Sequence, residues 1–486
     1  MKTDARTPFE IGVVGLGVMG SNLALNLIEH GFPVIGLDRN VPKADAFRDG
    51  ARRLRADVAA DGTTEIAVFI SKLRRPRVIL LLLPAGPAVD TMIEQLLPHL
   101  QRQDIIIDGG NSHFSDTERR MMQLAKSCVQ FVGMGVSGGE SGARHGPSLM
   151  PGGSKAAWER MQPMLRAIAA KVGDDPCVAR LGRNAAGHYV KMVHNGIEYG
   201  LMQLIAESYD LMKRGVGLPP DKIQAVFADW ARGEMSGFLI EITADILTRR
   251  DPENGGYLLD KILDAARQKG TGMWTSQEAM AQQVPVPVID AAVSMRGLSD
   301  YKEQRVEASQ RFGAPARPND VDRDAFLAHL GQALYGAMIL TYAQGLHLLH
   351  RGGRERHYGI PLGDVARVWR GGCIIRARLL EDLRAAYARD PKLDNPIFDE
   401  TLSARLMSRA DGLRQAVQFA ARAGLPAPGF MAALGYYDAW RSAVLPANLI
   451  QAQRDYFGAH KVERVDRAGA YHIAWTDDDQ GNENGH

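Results

Sequence analysis

Ile11-Gly12-Val13-Val14-Gly15-Leu16-Gly17-Val18-Met19-Gly20-Ser21-Asn22-Leu23 decides the fold of the N-terminal part of the chain. A short apolar run leads into glycines at 15, 17 and 20, and a helical pattern from Ser21 to Glu29 follows directly. One glycine makes the tight turn, one lets the backbone approach a pyrophosphate, and one lets the helix pack on the strand. The helix N-terminus then offers free N–H groups and a positive dipole end to phosphate oxygens. The glycine spacing alone is weak evidence. Its weight comes from the second apolar run, Val34–Asp38, which ends in an acid placed to accept ribose hydroxyls. Gly15, Gly17, Val18, Met19, Gly20 and Asp38 are therefore the candidate dinucleotide site.

Working outward, further apolar runs occur at Val78–Leu83, Asp104–Asp108 and Gln130–Val136. They are continuous rather than alternating, as in strands buried on both faces. Helical patterns separate most of them, so residues 1–184 read as a Rossmann-type, parallel, doubly wound sheet. Beyond residue 185 strand signals nearly vanish. Ala185–Lys213, Lys222–Ala231 and Ala325–Leu349 carry helical periodicity, so residues 185–444 read as an all-α domain and 445–486 as an extended tail. The polar stretch Asp477–His486 reads as disordered.

The helical part contains an apparent duplication. Tyr199-Gly200-Leu201-Met202-Gln203-Leu204 recurs as Tyr335-Gly336-Ala337-Met338-Ile339-Leu340. Val226, Trp230 and Gly233 are echoed, at the same mutual spacing, by Val365, Trp369 and Gly372. Convergent helix packing is the bland alternative; two matches in the same order favour a repeat.

With 486 residues, 45% hydrophobic and 23% charged, the chain suits a soluble protein of more than one domain. A net charge of +2 gives no reason to invoke nucleic acid or an acidic membrane as main partner. Cys128, Cys177 and Cys373 are far apart and form no C-x-x-C pair, which fits a reducing compartment. Met1–Glu10 is polar, and Val78–Leu83 is far too short to span a bilayer, so a cytoplasmic enzyme is expected.

The richest stretch is Gly187-His188-Tyr189-Val190-Lys191-Met192-Val193-His194-Asn195-Gly196-Ile197-Glu198-Tyr199. Lys191, His194, Asn195 and Glu198 share one helix face, among apolar Val190, Val193, Ile197 and Leu201. A solvent-exposed Lys–Glu pair is the bland reading. The apparent second copy places Leu327, Leu330, Gly331 and Leu334 on the equivalent stripe, which suits a buried face adapted to chemistry. Desolvation lets a lysine lose its proton and act as base, and keeps a glutamate protonated as acid. Two turns, Asp108-Gly109-Gly110-Asn111-Ser112 and Val136-Ser137-Gly138-Gly139, end strands where open α/β sheets bind ligands.

These residues together resemble the long form of the decarboxylating 6-phosphogluconate dehydrogenases, from about residue 10 to residue 460. The resemblance also rests on Gly146–Gly153, Lys191–Gly200, Trp369-Arg370-Gly371-Gly372-Cys373-Ile374-Ile375-Arg376 and Gln451-Ala452-Gln453-Arg454-Asp455-Tyr456-Phe457-Gly458-Ala459-His460. It implies that Asn111, Ser137, Gly138, Gly139, His194 and Asn195 hold the sugar acid. It places Tyr199, Lys269, Thr271, Arg296 and Arg454 around the phosphate. Arg454 and His460 would come from a neighbouring subunit, so a homodimer is implied. On the cofactor side it adds Arg39, Asn40, Leu83, Pro84, Ala85 and Asn111. The implied reaction converts 6-phosphogluconate to ribulose 5-phosphate and CO₂ in the pentose phosphate pathway and gluconate utilization. Lys191 would take the 3-hydroxyl proton and return it to the ketone oxygen, and Glu198 would protonate C1. The β-keto acid is its own electron sink, so no metal is expected.

Three positions depart from the family's common pattern: Asp38 for a usual Asn, Pro84 for a usual Lys, and Met273 for a usual Lys. A carboxylate at 38 repels a 2′-phosphate and favours NAD, whereas the Arg39 guanidinium can pair with that phosphate and favours NADP. NAD use at least comparable with NADP use is expected. One rival is a β-hydroxyacid dehydrogenase that does not decarboxylate, against which Lys269, Arg296 and Arg454 argue for a phosphate. The other is a catalytically silent dinucleotide-binding sensor, which intact Lys191, Glu198 and Ser137 argue against.

Overall fold

A computed structural model describes residues 9–268, 270–313 and 321–475. The apolar runs become strands β1 (Ile11–Val14), β2 (Val34–Leu37), β4 (Val78–Leu81), β5 (Ile105–Asp108) and β6 (Gln130–Ser137). Two more strands complete one seven-stranded sheet: β3 (Ala60–Thr63) and β7 (Ser148–Pro151), in the order β3-β2-β1-β4-β5-β6-β7. All neighbours are parallel except β7, which runs antiparallel to β6 and sets Ser148 opposite Ser137. The expected all-parallel sheet thus gains an antiparallel edge. Alternate strand residues feed two apolar clusters. Val13, Leu80, Ile107 and Val132 join one, and Val14, Ile79, Ile106 and Phe131 join the other. Both faces are covered, which explains the continuous apolar runs.

At the start of β5, Asp104 ties the sheet together. Its Oδ1 accepts the Arg77 N–H at 2.7 Å, and its Oδ2 meets the Arg77 guanidinium at 2.7 Å and the Gln101 N–H at 2.9 Å. Both side chains are buried.

After the sheet, two long helices dominate: Ala186–Asp210, closed by a π-type turn at Leu211–Gly215, and Arg323–Glu355. They pack on each other, with Gly345 under Ile197 and Gly200 under Thr341. The first is followed by helices Pro220–Arg232 and Phe238–Ile246, the second by Leu362–Val368 and Leu379–Arg389. The links inside these pairs meet antiparallel, Phe238 N–H donating to Arg376 O at 3.0 Å and Arg378 N–H to Ser236 O at 2.8 Å. Tyr199 and Tyr335, matched in the sequence repeat, each lie under a guanidinium, Arg296 at 3.4 Å and Arg409 at 4.9 Å. The order of elements therefore repeats as the sequence echo does.

The chain forms two compact units, Met1–Leu434 and Gly435–His486. The second carries helix Ala447–Gly458 and a hairpin of Val462–Glu463 with Ala470–Tyr471. Asp455 binds them, accepting the Lys461 and Ile473 N–H groups at 2.7 and 2.9 Å and the Trp475 indole N–H at 2.9 Å. The stretch Asp477–His486, expected to be disordered, lies outside the described residues, as does Lys269. Among the described residues no helix is long and apolar enough to cross a membrane.

Candidate active site

The long helix Ala186–Asp210 lies directly on β6 because glycines leave no side chain between them. A Cβ on Gly187 would sit 2.2 Å from the Gly133 carbonyl oxygen, and one on Gly135 would sit 2.5 Å from Lys191 Cβ. This close approach delivers the polar stripe of the helix to Ser137, the last residue of β6. Lys191 is 7% exposed and His194 is fully buried, so the stripe is not a solvent face.

On that stripe His194 is the hub. Its Nδ1–H donates to Asn195 Oδ1 at 3.0 Å, and its Nε2 accepts the Ser137 hydroxyl at 3.4 Å. The shorter contact sets this tautomer. Lys191 Nζ stands 3.5 Å from Nδ1, and Glu198 Oε2 stands 3.8 Å from it. Burial and the Lys191 charge hold His194 well below the usual histidine range, so it is neutral and its contact with Glu198 is not an ion pair. Burial also lowers the Lys191 pKa, against the opposing pull of Glu198. Burial raises the Glu198 pKa, opposed by Lys191 and Arg296. The two shifts move a buried amine toward a base and a half-buried carboxyl toward an acid on one helix face.

The turns around the stripe are as the sequence placed them. Gly138 and Gly139 follow Ser137 with φ of +115° and +62°, the left-handed region that favours glycine. In the neighbouring turn Asp108 is buried and accepts the Gly110 N–H at 3.0 Å and the Ser112 hydroxyl at 2.6 Å, leaving Asn111 exposed at the tip.

On the far side Arg296 lies over the Tyr199 ring. Thr271 opens helix Thr271–Ala281, whose Gly272 presses on the same ring. Tyr199 and Arg296 line a cavity of about 400 Å³ that also takes in Arg305 and Glu207. Arg305 and Glu207 were not singled out in the sequence; neither carries a motif. Burial raises the Glu207 pKa to about 7. Arg454 and His460 belong to the second unit and are exposed there, Arg454 donating to Gln451 Oε1 at 3.0 Å.

The glycine loop fits a dinucleotide. A Cβ on Gly20 would sit 1.8 Å from the Gly15 carbonyl oxygen, whereas Gly17 faces open space. Helix Val18–Glu29 has no side-chain cap and no acid in its first turn, so its N–H groups are left for an anion. Beside the loop is a cavity of about 660 Å³ lined by Gly15, Gly17, Asp38, Arg39, Leu83 and Pro84. Lys43, Thr91 and Gln95, which the sequence reading missed, also line it. Asp38 accepts the Leu16 N–H at 2.8 Å and the Asn40 N–H at 3.0 Å, clipping the loop. Asn40 spends its side chain capping helix Val41–Leu54 through the Lys43 N–H. Among the described residues no group of three or more His, Cys, Asp or Glu could hold a metal ion.

Comparison with known proteins gives the family. Residues 10–182 match the family described as the NAD binding domain of 6-phosphogluconate dehydrogenase. Residues 187–475 match the 6-phosphogluconate dehydrogenase C-terminal domain. The NADP(+)-dependent, decarboxylating 6-phosphogluconate dehydrogenase of Bacillus subtilis is 48% identical over 467 residues, 96% of this chain and 99% of that protein. The decarboxylating enzyme of Lactococcus lactis subsp. lactis is 47% identical over 470 residues, 96% and 99% of the two chains. The structure of Plasmodium falciparum 6-phosphogluconate dehydrogenase, solved in its apo form and with NADP+ and 6-phosphogluconate, superposes with a TM-score of 0.93 at 42% identity. It covers 96% of this chain and 100% of that one. The chain belongs to the 6-phosphogluconate dehydrogenase family.

Proposed function

We propose that this chain oxidises and decarboxylates 6-phosphogluconate to ribulose 5-phosphate and CO₂, with Lys191 as base and Glu198 as acid. The observation that carries the reading is the stripe itself, where Lys191, its pKa lowered by burial, and Glu198, its pKa raised by burial, flank one histidine. When bound, the nicotinamide supplies the hydride acceptor. Ser137, His194, Asn195 and Asn111, with the backbone of Gly138 and Gly139, orient the carboxylate and hydroxyls. Neutral Lys191 takes the 3-hydroxyl proton as C3 is oxidised. The new ketone is β to the carboxylate and accepts the electron pair as CO₂ leaves, and Lys191 returns the proton to that oxygen. Glu198 then protonates C1 of the enediol, whose hydroxyl proton passes to Lys191. One proton exchange resets the pair.

Arg296, Tyr199, Thr271 and Lys269 form the phosphate side in this reading. Arg454 and His460 would complete it from a second copy. Exposed Val444, Leu449, Ile450 and Phe457 on the second unit support a homodimer. Three unpaired thiols suit a cytoplasmic location.

On the cofactor, Asp38 and the uncharged Pro84 support NAD use at least comparable with NADP use, while Arg39 and Lys43 in the same cavity support NADP. Initial rates of cofactor reduction with 6-phosphogluconate, run with NAD and NADP side by side while trapping CO₂, test both points. Equal yields of CO₂ and reduced cofactor are expected. Reduction without CO₂ would favour the non-decarboxylating reading, and a much higher kcat/KM with NADP would overturn the NAD expectation.

A further inference from the structure

The segment Trp369-Arg370-Gly371-Gly372-Cys373 touches both halves of the site, yet no step of the reaction uses it. Its Gly372 has φ +66° and presents its carbonyl oxygen to β7, where the Ser148 N–H donates to it at 2.8 Å. The same oxygen would lie 2.6 Å from a Cβ on Gly138. Ser148 closes the contact, its hydroxyl donating to Val368 O at 2.8 Å. Since Ser148 is paired with Ser137 across β6 and β7, the turn backs the Ser137-Gly138-Gly139 anion turn from behind.

On its other side the turn meets the catalytic helix. The fully buried Trp369 ring stands edge-on to the His194 ring, 5.7 Å between centroids at 75°. Its indole N–H points to Met150 Sδ at 3.4 Å, which fixes the ring plane. The Cys373 thiol donates to Trp369 O at 3.0 Å, and burial raises its pKa to about 12, so it adds no charge beside Lys191.

We infer that Trp369 is a positioning residue that fixes the His194 ring between Ser137 and Lys191 and keeps water from the Lys191 amine. A histidine free to turn about its Cβ would lose the Ser137 hydroxyl, and water would enter beside Lys191. The charged and titratable groups facing Lys191 are then Glu198 and His194 on its own helix and Cys373 from the turn, with Arg296 beyond Glu198. A better-hydrated amine holds its proton to higher pH.

The inference rests on Lys191 being the base, and the test separates the two claims. In Trp369→Phe, kcat should fall by about 10- to 100-fold with the KM for cofactor unchanged. The acidic limb of the kcat profile, where Lys191 must be neutral, should move up by about one pH unit. A purely structural role would lower Tm and leave the limb in place. An unmoved limb with unchanged kcat overturns the inference. If Trp369→Phe does not fold, Met150→Leu carries the test, since it frees the indole N–H at nearly constant volume. The same limb should move the same way by a smaller amount, and no movement overturns the inference. Lys191→Ala run alongside distinguishes the failures. Residual turnover there defeats the base assignment, whereas an inactive Lys191→Ala with an unmoved Trp369→Phe limb defeats only the positioning role.

Discussion

Lys191 Nζ and His194 Nδ1 lie 3.5 Å apart, one turn from each other on a helix face that solvent barely reaches. Neither has a carboxylate as direct counter-ion, because the nearest, Glu198, is itself pushed toward its protonated form by burial. Burial therefore disfavours the charged forms of both Lys191 and Glu198, and that costs stability. Lys191→Met should stabilise the ligand-free protein at pH 7 by about 1–2 kcal/mol. The sign follows from linkage. The folded pKa of Lys191 lies below the unfolded value of 10.5, so the unfolded state binds more protons between the two and stability rises with pH across that window. The gain from Lys191→Met should accordingly shrink as pH rises toward 10.5. Denaturant melts at several pH values check this; a gain that grows with pH contradicts it.

Removing the acid should leave the early steps intact. Glu198→Gln keeps the shape of the side chain and loses its proton-donor function, so the first turnover should still reduce cofactor. Steady-state turnover should fall by about 100-fold or more, limited by C1 protonation. Stopped-flow absorbance should then show a burst of reduced cofactor. A uniform slowing with no burst would place Glu198 before oxidation instead.

Arg296 lies over Tyr199 with its guanidinium open to the adjoining cavity. Arg296→Ala should raise the KM for 6-phosphogluconate by about 10- to 100-fold, the range of one charge-assisted contact, and leave the KM for cofactor unchanged. Activity on unphosphorylated gluconate should respond little. Equal loss with both substrates would remove Arg296 from the phosphate side.

Much of this fold is legible in the sequence. The parallel strands β1, β2, β4, β5 and β6 were visible because burial on both faces makes them continuously apolar. β3 escaped notice because Ala60-Asp61-Gly62-Thr63 is an edge strand, held by a backbone ladder rather than by apolar side chains. β7 escaped because Ser148-Leu149-Met150-Pro151 holds only two apolar residues between a serine and a proline, unlike the continuous apolar runs of the parallel strands. Lys191, His194, Asn195 and Glu198 could be set on one face from helical spacing alone. Lys43, Thr91 and Gln95 could not be tied to the cofactor cavity, because nothing in their spacing shows which helix faces turn toward the glycine loop. The edge contact of Trp369 with His194 was equally hidden, since the two meet only through the tertiary fold.

The buried pair of Arg77 and Asp104 anchors β5 through a guanidinium bond and two backbone N–H groups. Asp104→Ala leaves the guanidinium buried without its carboxylate and should destabilise the protein by about 3–5 kcal/mol. Thermal or denaturant unfolding measures the loss. A change under about 1 kcal/mol would mean that Arg77 finds another partner.

The central claim is that Lys191 moves the 3-hydroxyl proton, and a single-turnover experiment with carbon-1-labelled 6-phosphogluconate tests it most directly. The unaltered protein should release one labelled CO₂ for each cofactor reduced. Lys191→Ala, with folding and cofactor binding intact, should abolish both signals together; cofactor reduction or CO₂ release at a substantial fraction of the original rate would contradict the account.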